Sequence, residues 1–247
     1  VIEMGGVVTA RFLVDRPIRQ GMVRAILDTL TAQGGYYEPH LVRRSADDGA
    51  RRISWGRPVG LLDDVAQGPD AVFLRVAEGL AEPVLTFRIS ASPRALPSVV
   101  TLRLPAEALA STRDIEQLLG VGKGLYLFLE SPWGTIGTGS TDVTTPRPLL
   151  QWASYVGPEA VSRAGPARFL TSLAFIVEIL PDGGVMLVTH PSPSLAETDD
   201  GRALRRHLEE ATGLADALGG LVRRAIPDGA RSRAAGPARR GGSPTSS

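Results

Sequence analysis

The chain has no cysteine among its 247 residues. Disulfide staples, zinc–thiolate sites and thiol nucleophiles are therefore excluded. Lysine is almost missing too: Lys123 is the only one among 27 basic residues, the rest being arginine. That bias fits GC-rich bacterial coding, and the lack of cysteine fits a reducing cytoplasm, the compartment expected here. Aromatic residues make up only 5% of the chain. No apolar run approaches the roughly 18 residues that a membrane-spanning helix needs, so no membrane anchor is expected. Residues 1–6 carry Glu3 and lack a basic head followed by an apolar stretch, so no secretory signal is expected there.

What is present suits a globular fold, with 43% hydrophobic and 21% charged residues. The formal charge of +1 conceals an asymmetry. From residue 223 onward six arginines face one acid, Asp228, leaving 21 basic and 25 acidic residues in 1–222. The body is mildly acidic and the basic pI belongs to the tail, so no specific nucleic-acid partner is expected.

Periodicity outlines the elements. Val8, Ala10, Phe12 and Val14 alternate with polar neighbours and predict a half-buried strand over 7–14. Val23, Ile26, Leu27 and Leu30 recur at helical spacing after Pro17, and Gly34-Gly35 supplies a stop. Strands are expected near 36–43, 52–55, 71–76, 84–90 and 99–104, with a short helix over 58–65. Ser111 and Asp114 read as a helix start. Leu125–Leu129 fits either helix or strand. Strand is expected at 150–155, and 173–180 with 184–190 reads as a hairpin about Pro181-Asp-Gly-Gly184. Asp199 or Asp200 is the expected cap of a last helix whose apolar positions are Leu204, Leu208 and Ala211, continuing through Leu214, Leu218 and Leu221. These elements predict an α+β fold, a mainly antiparallel twisted sheet with helices packed on one face. One domain spans 1–224, followed by a disordered tail of Arg, Gly, Ser and Pro over 225–247.

Candidate chemistry fails at identifiable positions. His190 stands near Ser192, Ser194 and Asp199, the residue types of a hydrolase, but no Gly-x-Ser-x-Gly elbow exists. Glu38 and His40 share a strand face and lack a third metal ligand, so no metal or cofactor is expected. Gly120-Val-Gly-Lys-Gly124 lacks both the Ser or Thr and the earlier glycine of a phosphate loop. Gly134-Thr-Ile-Gly-Thr-Gly139 reads as a turn or bulge, with an anion-contacting loop of a small-molecule-binding domain as the alternative. Among paired acids, Asp63-Asp64 is the least explained. Trp133, Trp152 and Tyr155 stand by glycine- and proline-rich segments and, with Asp63 and Asp64, are the candidate partner contacts.

Three stretches together carry a family likeness: Val100-Thr-Leu-Arg-Leu-Pro105; Ser131-Pro-Trp-Gly134 leading to Gln151-Trp-Ala-Ser-Tyr155; and Leu180-Pro-Asp-Gly-Gly-Val-Met-Leu-Val-Thr189 before a helix. Their order resembles the immunity protein 52 family of bacterial polymorphic-toxin systems, although Gln151 stands where that family often has glycine. The resemblance implies a non-catalytic α+β protein that neutralises a cognate protein toxin by binding it. A mildly acidic body would suit a basic toxin such as a nuclease. The competing expectations are a small-molecule-binding domain and a hydrolase using His190.

Overall fold

A computed structural model of the chain describes residues 6–16, 18, 20–32, 37–43, 51–52, 70–76, 83–90, 98–138 and 150–218. The alternation at the N-terminus produces strand β1 (Val7–Val14), in which Val8, Ala10, Phe12 and Val14 are fully buried. It is an interior strand, antiparallel to β6 (Ser98–Pro105) on one side and β7 (Trp133–Thr138) on the other. Beyond β6 lie β5 (Pro83–Ser90), β4 (Asp70–Val76), β2 (Leu41–Arg43) and β3 (Arg51–Arg52). Beyond β7 lie β8 (Ala153–Val156), β10 (Val185–Val188) and β9 (Ile176–Ile179). One sheet thus runs in the order β3-β2-β4-β5-β6-β1-β7-β8-β10-β9. The strands read at 71–76, 84–90 and 99–104 are adjacent antiparallel neighbours, and β9 and β10 form the expected hairpin.

Two long helices cover one face, as expected. Helix α1 (Gln20–Ala32) buries Val23, Ile26, Leu27 and Leu30. Helix α2 (Thr112–Leu129) opens with a reciprocal capping box, Ser111 accepting from the Asp114 amide while the Asp114 carboxylate accepts from the Ser111 amide at 3.0 Å. It continues through the ambiguous 125–129 run, which is helix: Leu125, Tyr126 and Leu129 are buried and Phe128 faces out. Glu130 ends it in a left-handed conformation at φ 46°, and the next amide, Ser131, donates to the Tyr126 carbonyl at 3.1 Å.

At the β7–β10 end a second helical layer is added on the opposite face. Helices α3 (Pro158–Ala164), α4 (Pro166–Leu170) and α5 (Pro193–Ala196) each begin with proline, whose missing N–H costs nothing in a first turn. Helices α3 and α4, with α6 (Asp199–Thr212) and the helical turn 214–218, form a second core on Trp133, Val156, Val185 and Leu187, while Ala196 of α5 belongs to the first core.

Three local expectations are corrected. The 134–139 segment is largely strand, not turn: through Thr138 it belongs to β7. Its glycines serve close approach, since a Cβ on Gly134 would strike the Phe12 ring and one on Gly137 would strike Gln151. The α6 cap is Thr198, whose hydroxyl accepts from the Gly201 amide at 3.1 Å, while Asp199 and Asp200 occupy the first turn. On α6, Ala211 is exposed and Thr212 buried, because 208 and 212 are one helical turn apart and Thr212 Oγ1 donates to the Leu208 carbonyl at 2.7 Å. Gly34-Gly35, the 58–65 helix, Asp63, Asp64 and the 225–247 tail lie outside the described residues.

Adding a methyl group at Gly134 tests this packing. Gly134→Ala is expected to cost about 2 kcal/mol, lowering the melting temperature by roughly 4–8 °C. Phe12→Leu should relieve part of it, so the double variant in a thermal melt should lose less than the sum of the singles.

Candidate functional site

Gly134 has a further role, because it lies in a cross-strand row. It pairs with Phe12 on β1 and with Tyr155 on β8, and Tyr155 pairs with Met186 on β10, which pairs with Glu178 on β9. With no side chain at the middle position, the Phe12 and Tyr155 rings come together with centroids 5.6 Å apart. Tyr155 also stacks on Tyr126 of α2 at 5.6 Å and 24°.

Glycine makes room at the outer edges of this stack too. A Cβ on Gly122 of α2 would strike the Tyr155 hydroxyl, and one on Gly184 would strike that of Tyr126. Gly124 leaves space for Thr29 of α1. The Gly120–Gly124 stretch is therefore a helix interior shaped for contact with the sheet and with α1.

Each polar tip finds a partner. Tyr155 Oη donates to the Leu119 carbonyl at 3.0 Å, and Tyr126 Oη to Asp182 Oδ2 at 2.7 Å. Burial pushes both phenols far above their usual pKa; the Asp182 hydrogen bond and charge add to it at Tyr126, and the Glu178 charge at Tyr155. Lys123 of α2 reaches across to Glu178 in an ion pair.

The three aromatic partner-contact candidates are thus core residues. Trp152 and Tyr155 are fully buried, and Trp133 retains 7% exposure under the second helical layer. Trp152 Nε1 donates to the His190 carbonyl at 2.8 Å, tying the β8 entry to the end of β10. Their burial removes them from the contact surface, a correction the sequence could not supply. The Trp152 N–H and the Tyr155 O–H found their acceptors only through distant chain segments.

His190 sits at this junction. Its Nδ1 lies 3.0 Å from Thr189 Oγ1, while Ser192 and Ser194 engage each other at 3.0 Å. Among the described residues, no hydrogen bond links His190 to either serine. Arg205 Nη1 stands 3.3 Å from Gln151 Oε1 and from Glu197 Oε1. Desolvation, and then the Arg205 charge, lower the His190 pKa below 6.5. Among the described residues no group of three His, Asp or Glu side chains could hold a metal ion, and no helix is long and apolar enough to cross a membrane.

One exposed feature went unread in the sequence. Leu170, Leu173, Phe175, Ile176 and Ile179 all lie open to solvent around the edge strand β9. The signal was available: Phe175-Ile-Val-Glu-Ile-Leu180 is apolar at both parities, as an interior strand would be, yet among the described residues β9 has no neighbour beyond it.

These features define an α+β protein whose ten described strands form one antiparallel sheet, covered by two helices on one face and by a second helical group at its C-terminal end. Neither a family model nor a curated protein matches the chain. A solved structure described as Pseudomonas aeruginosa T6SS protein PA0821 is similar at a TM-score of 0.62 and 14% sequence identity, over 91% of this chain and 84% of that one. That likeness shows a shared fold.

Two measurements test the site. Tyr155→Phe should cost about 1 kcal/mol at neutral pH through the lost hydrogen bond. The phenol's folded pKa is raised, so its stabilisation is present below the unfolded value of about 10 and is lost above it. In denaturant titrations the variant should therefore show a shallower alkaline loss of stability than the wild type. The His190 titration followed by NMR should have a midpoint below 6.5, and Arg205→Gln should raise it only part of the way, since desolvation remains.

Proposed function

We propose that this chain is a bacterial toxin-system protein that acts by binding, an immunity protein of the immunity protein 52 type that neutralises a cognate protein toxin in the cytoplasm. The observation that carries the reading is the likeness in fold to a T6SS protein over 91% of the chain. The strand, Trp-x-x-Tyr and hairpin stretches that resemble the immunity family support it. They form β6, β7 with β8, and the hairpin turn with β10. A framework fixed by buried aromatics and capped helices suits a protein that presents a preformed surface. Its mildly acidic body favours encounter with a basic toxin. In this reading His190 holds a strand junction through its carbonyl and performs no chemistry.

The test is to express the proteins encoded beside this chain's gene, identify one that is toxic, and co-express this chain with it. Growth should be rescued, and affinity purification should recover the two proteins in equal amounts. His190→Ala should rescue as well as the wild type. Loss of rescue in a folded His190→Ala protein, or a failure to recover the toxin, would count against the reading.

A further inference from the structure

The edge strand β9 combines two properties that rarely remain together on a free surface: an open backbone ladder and an apolar flank. The Leu180 amide donates to the Gly184 carbonyl at 2.8 Å, which sets the phase of the β9–β10 hairpin. By the alternation of an antiparallel ladder, Glu178 and Ile176 exchange hydrogen bonds with β10. The N–H and C=O groups of Val177 and Ile179 then point away from the sheet, as do those of Phe175. Natural edges are commonly blunted with lysine, proline or an inward charge. Here Phe175 is 57% exposed and Ile179 59%, and Leu173 beside them is 70% exposed. The one charge on the strand, Glu178, is held by Lys123.

We propose that a second copy of this chain covers this edge, β9 pairing antiparallel with its own equivalent across a two-fold axis, so that two ten-stranded sheets join into one. The strand is self-complementary in a single register. With Val177 opposite Val177 of the second copy, Phe175 stands opposite Ile179 and Ile176 opposite Glu178, twice over by symmetry. Aromatic and β-branched residues pair well across strands. Moving the axis to Glu178 would set two carboxylates face to face, and would put Phe175 opposite Pro181, which has no N–H to donate. Leu170, Leu173, Phe175, Ile176 and Ile179 leave roughly 500 Å² of apolar surface in water, as large as the biggest patches on monomers. A polar rim would supply the remainder of the roughly 800 Å² per partner of a stable interface. An isologous pairing also closes on itself, so the open edge forms a dimer and not a fibre.

The full chain is expected to sediment at twice its 26.1 kDa mass, and Ile179→Asp and Phe175→Asp to sediment as folded monomers. Because the chain contains no cysteine, single cysteines report the register directly. Val177→Cys should oxidise to a covalent dimer, its Cα atoms being about 5.5 Å apart across the axis. Ile179→Cys alone should not, but an equimolar mixture with Phe175→Cys should. A wild type that stays monomeric up to about 100 μM, or a dimer that survives both aspartate substitutions, would overturn the proposal. So would a monomer whose 175–179 amides gain exchange protection only with another protein. If the aspartate variants do not fold, the cysteine pattern decides: cross-linking of Ile179→Cys alone, or none at Val177→Cys, rejects the register.

Discussion

Two aromatic rings meeting over a glycine pack β1, β7 and β8 together where the two halves of the sheet join. Phe12 comes from the first strand of the chain and Tyr155 from the eighth, and Gly134 stands between them in the pairing row. A bare glycine in an interior strand is a weakness, because it packs nothing and its freedom opposes the strand conformation. Rings from both neighbours close the gap and turn it into a contact worth about 1 kcal/mol beyond area burial. Any larger residue at 134 would drive the rings apart, and the β1–β7–β8 register would lose its tightest constraint.

The rest of the framework follows from where Tyr155 must point. Its ring lies under α2, so that helix needs a notch, and Gly122 supplies it at the known cost of glycine in a helix interior, about 1 kcal/mol. The cost is offset because the Tyr155 hydroxyl reaches the Leu119 carbonyl and Tyr126 stacks alongside. Tyr126 in turn reaches Asp182 in the β9–β10 turn, where Gly184 makes room for it. A chain of contacts thus runs from β1 through the sheet and α2 to the last hairpin, linking residues far apart in sequence. It also explains why two glycine-rich stretches could be mistaken for ligand-binding loops: both are moulds for aromatic rings.

What could be read from the sequence was what depends on near neighbours. The alternation of Val8, Ala10, Phe12 and Val14, the stripe of α1, the Ser111–Asp114 cap and the Pro181–Gly184 turn are each local, and each was legible. The strand at 134–138 was not, because its β-propensity is poor and its stability comes from Phe12 and Tyr155, contacts more than a hundred residues away in one case. The buried places of Trp133, Trp152 and Tyr155 were hidden for the same reason. Trp152, a few residues after Pro148, looks exposed until its N–H is matched with the His190 carbonyl. On α6 the error was one of arithmetic, hydrophobicity favouring Ala211 where the helical repeat from Leu208 selects Thr212.

The same logic makes the edge strand the place where the fold leaves something unfinished. Elsewhere the polar tips of Tyr126, Trp152 and Tyr155 meet Asp182 or backbone carbonyls, and the apolar faces that α1, α2 and β1 turn to the core are enclosed. Strand β9 departs from that economy on both counts, with free ladder groups and apolar residues at both parities. A sequence that spends glycines to seat three rings, where an added Cβ would strike each of them, is closely fitted, so the open apolar edge is better explained as one half of a contact than as loose packing. The Lys123–Glu178 pair fits that view. It holds the strand's only carboxylate against α2, on the face away from Phe175 and Ile179, and so keeps charge off the side where an added strand would bury apolar surface.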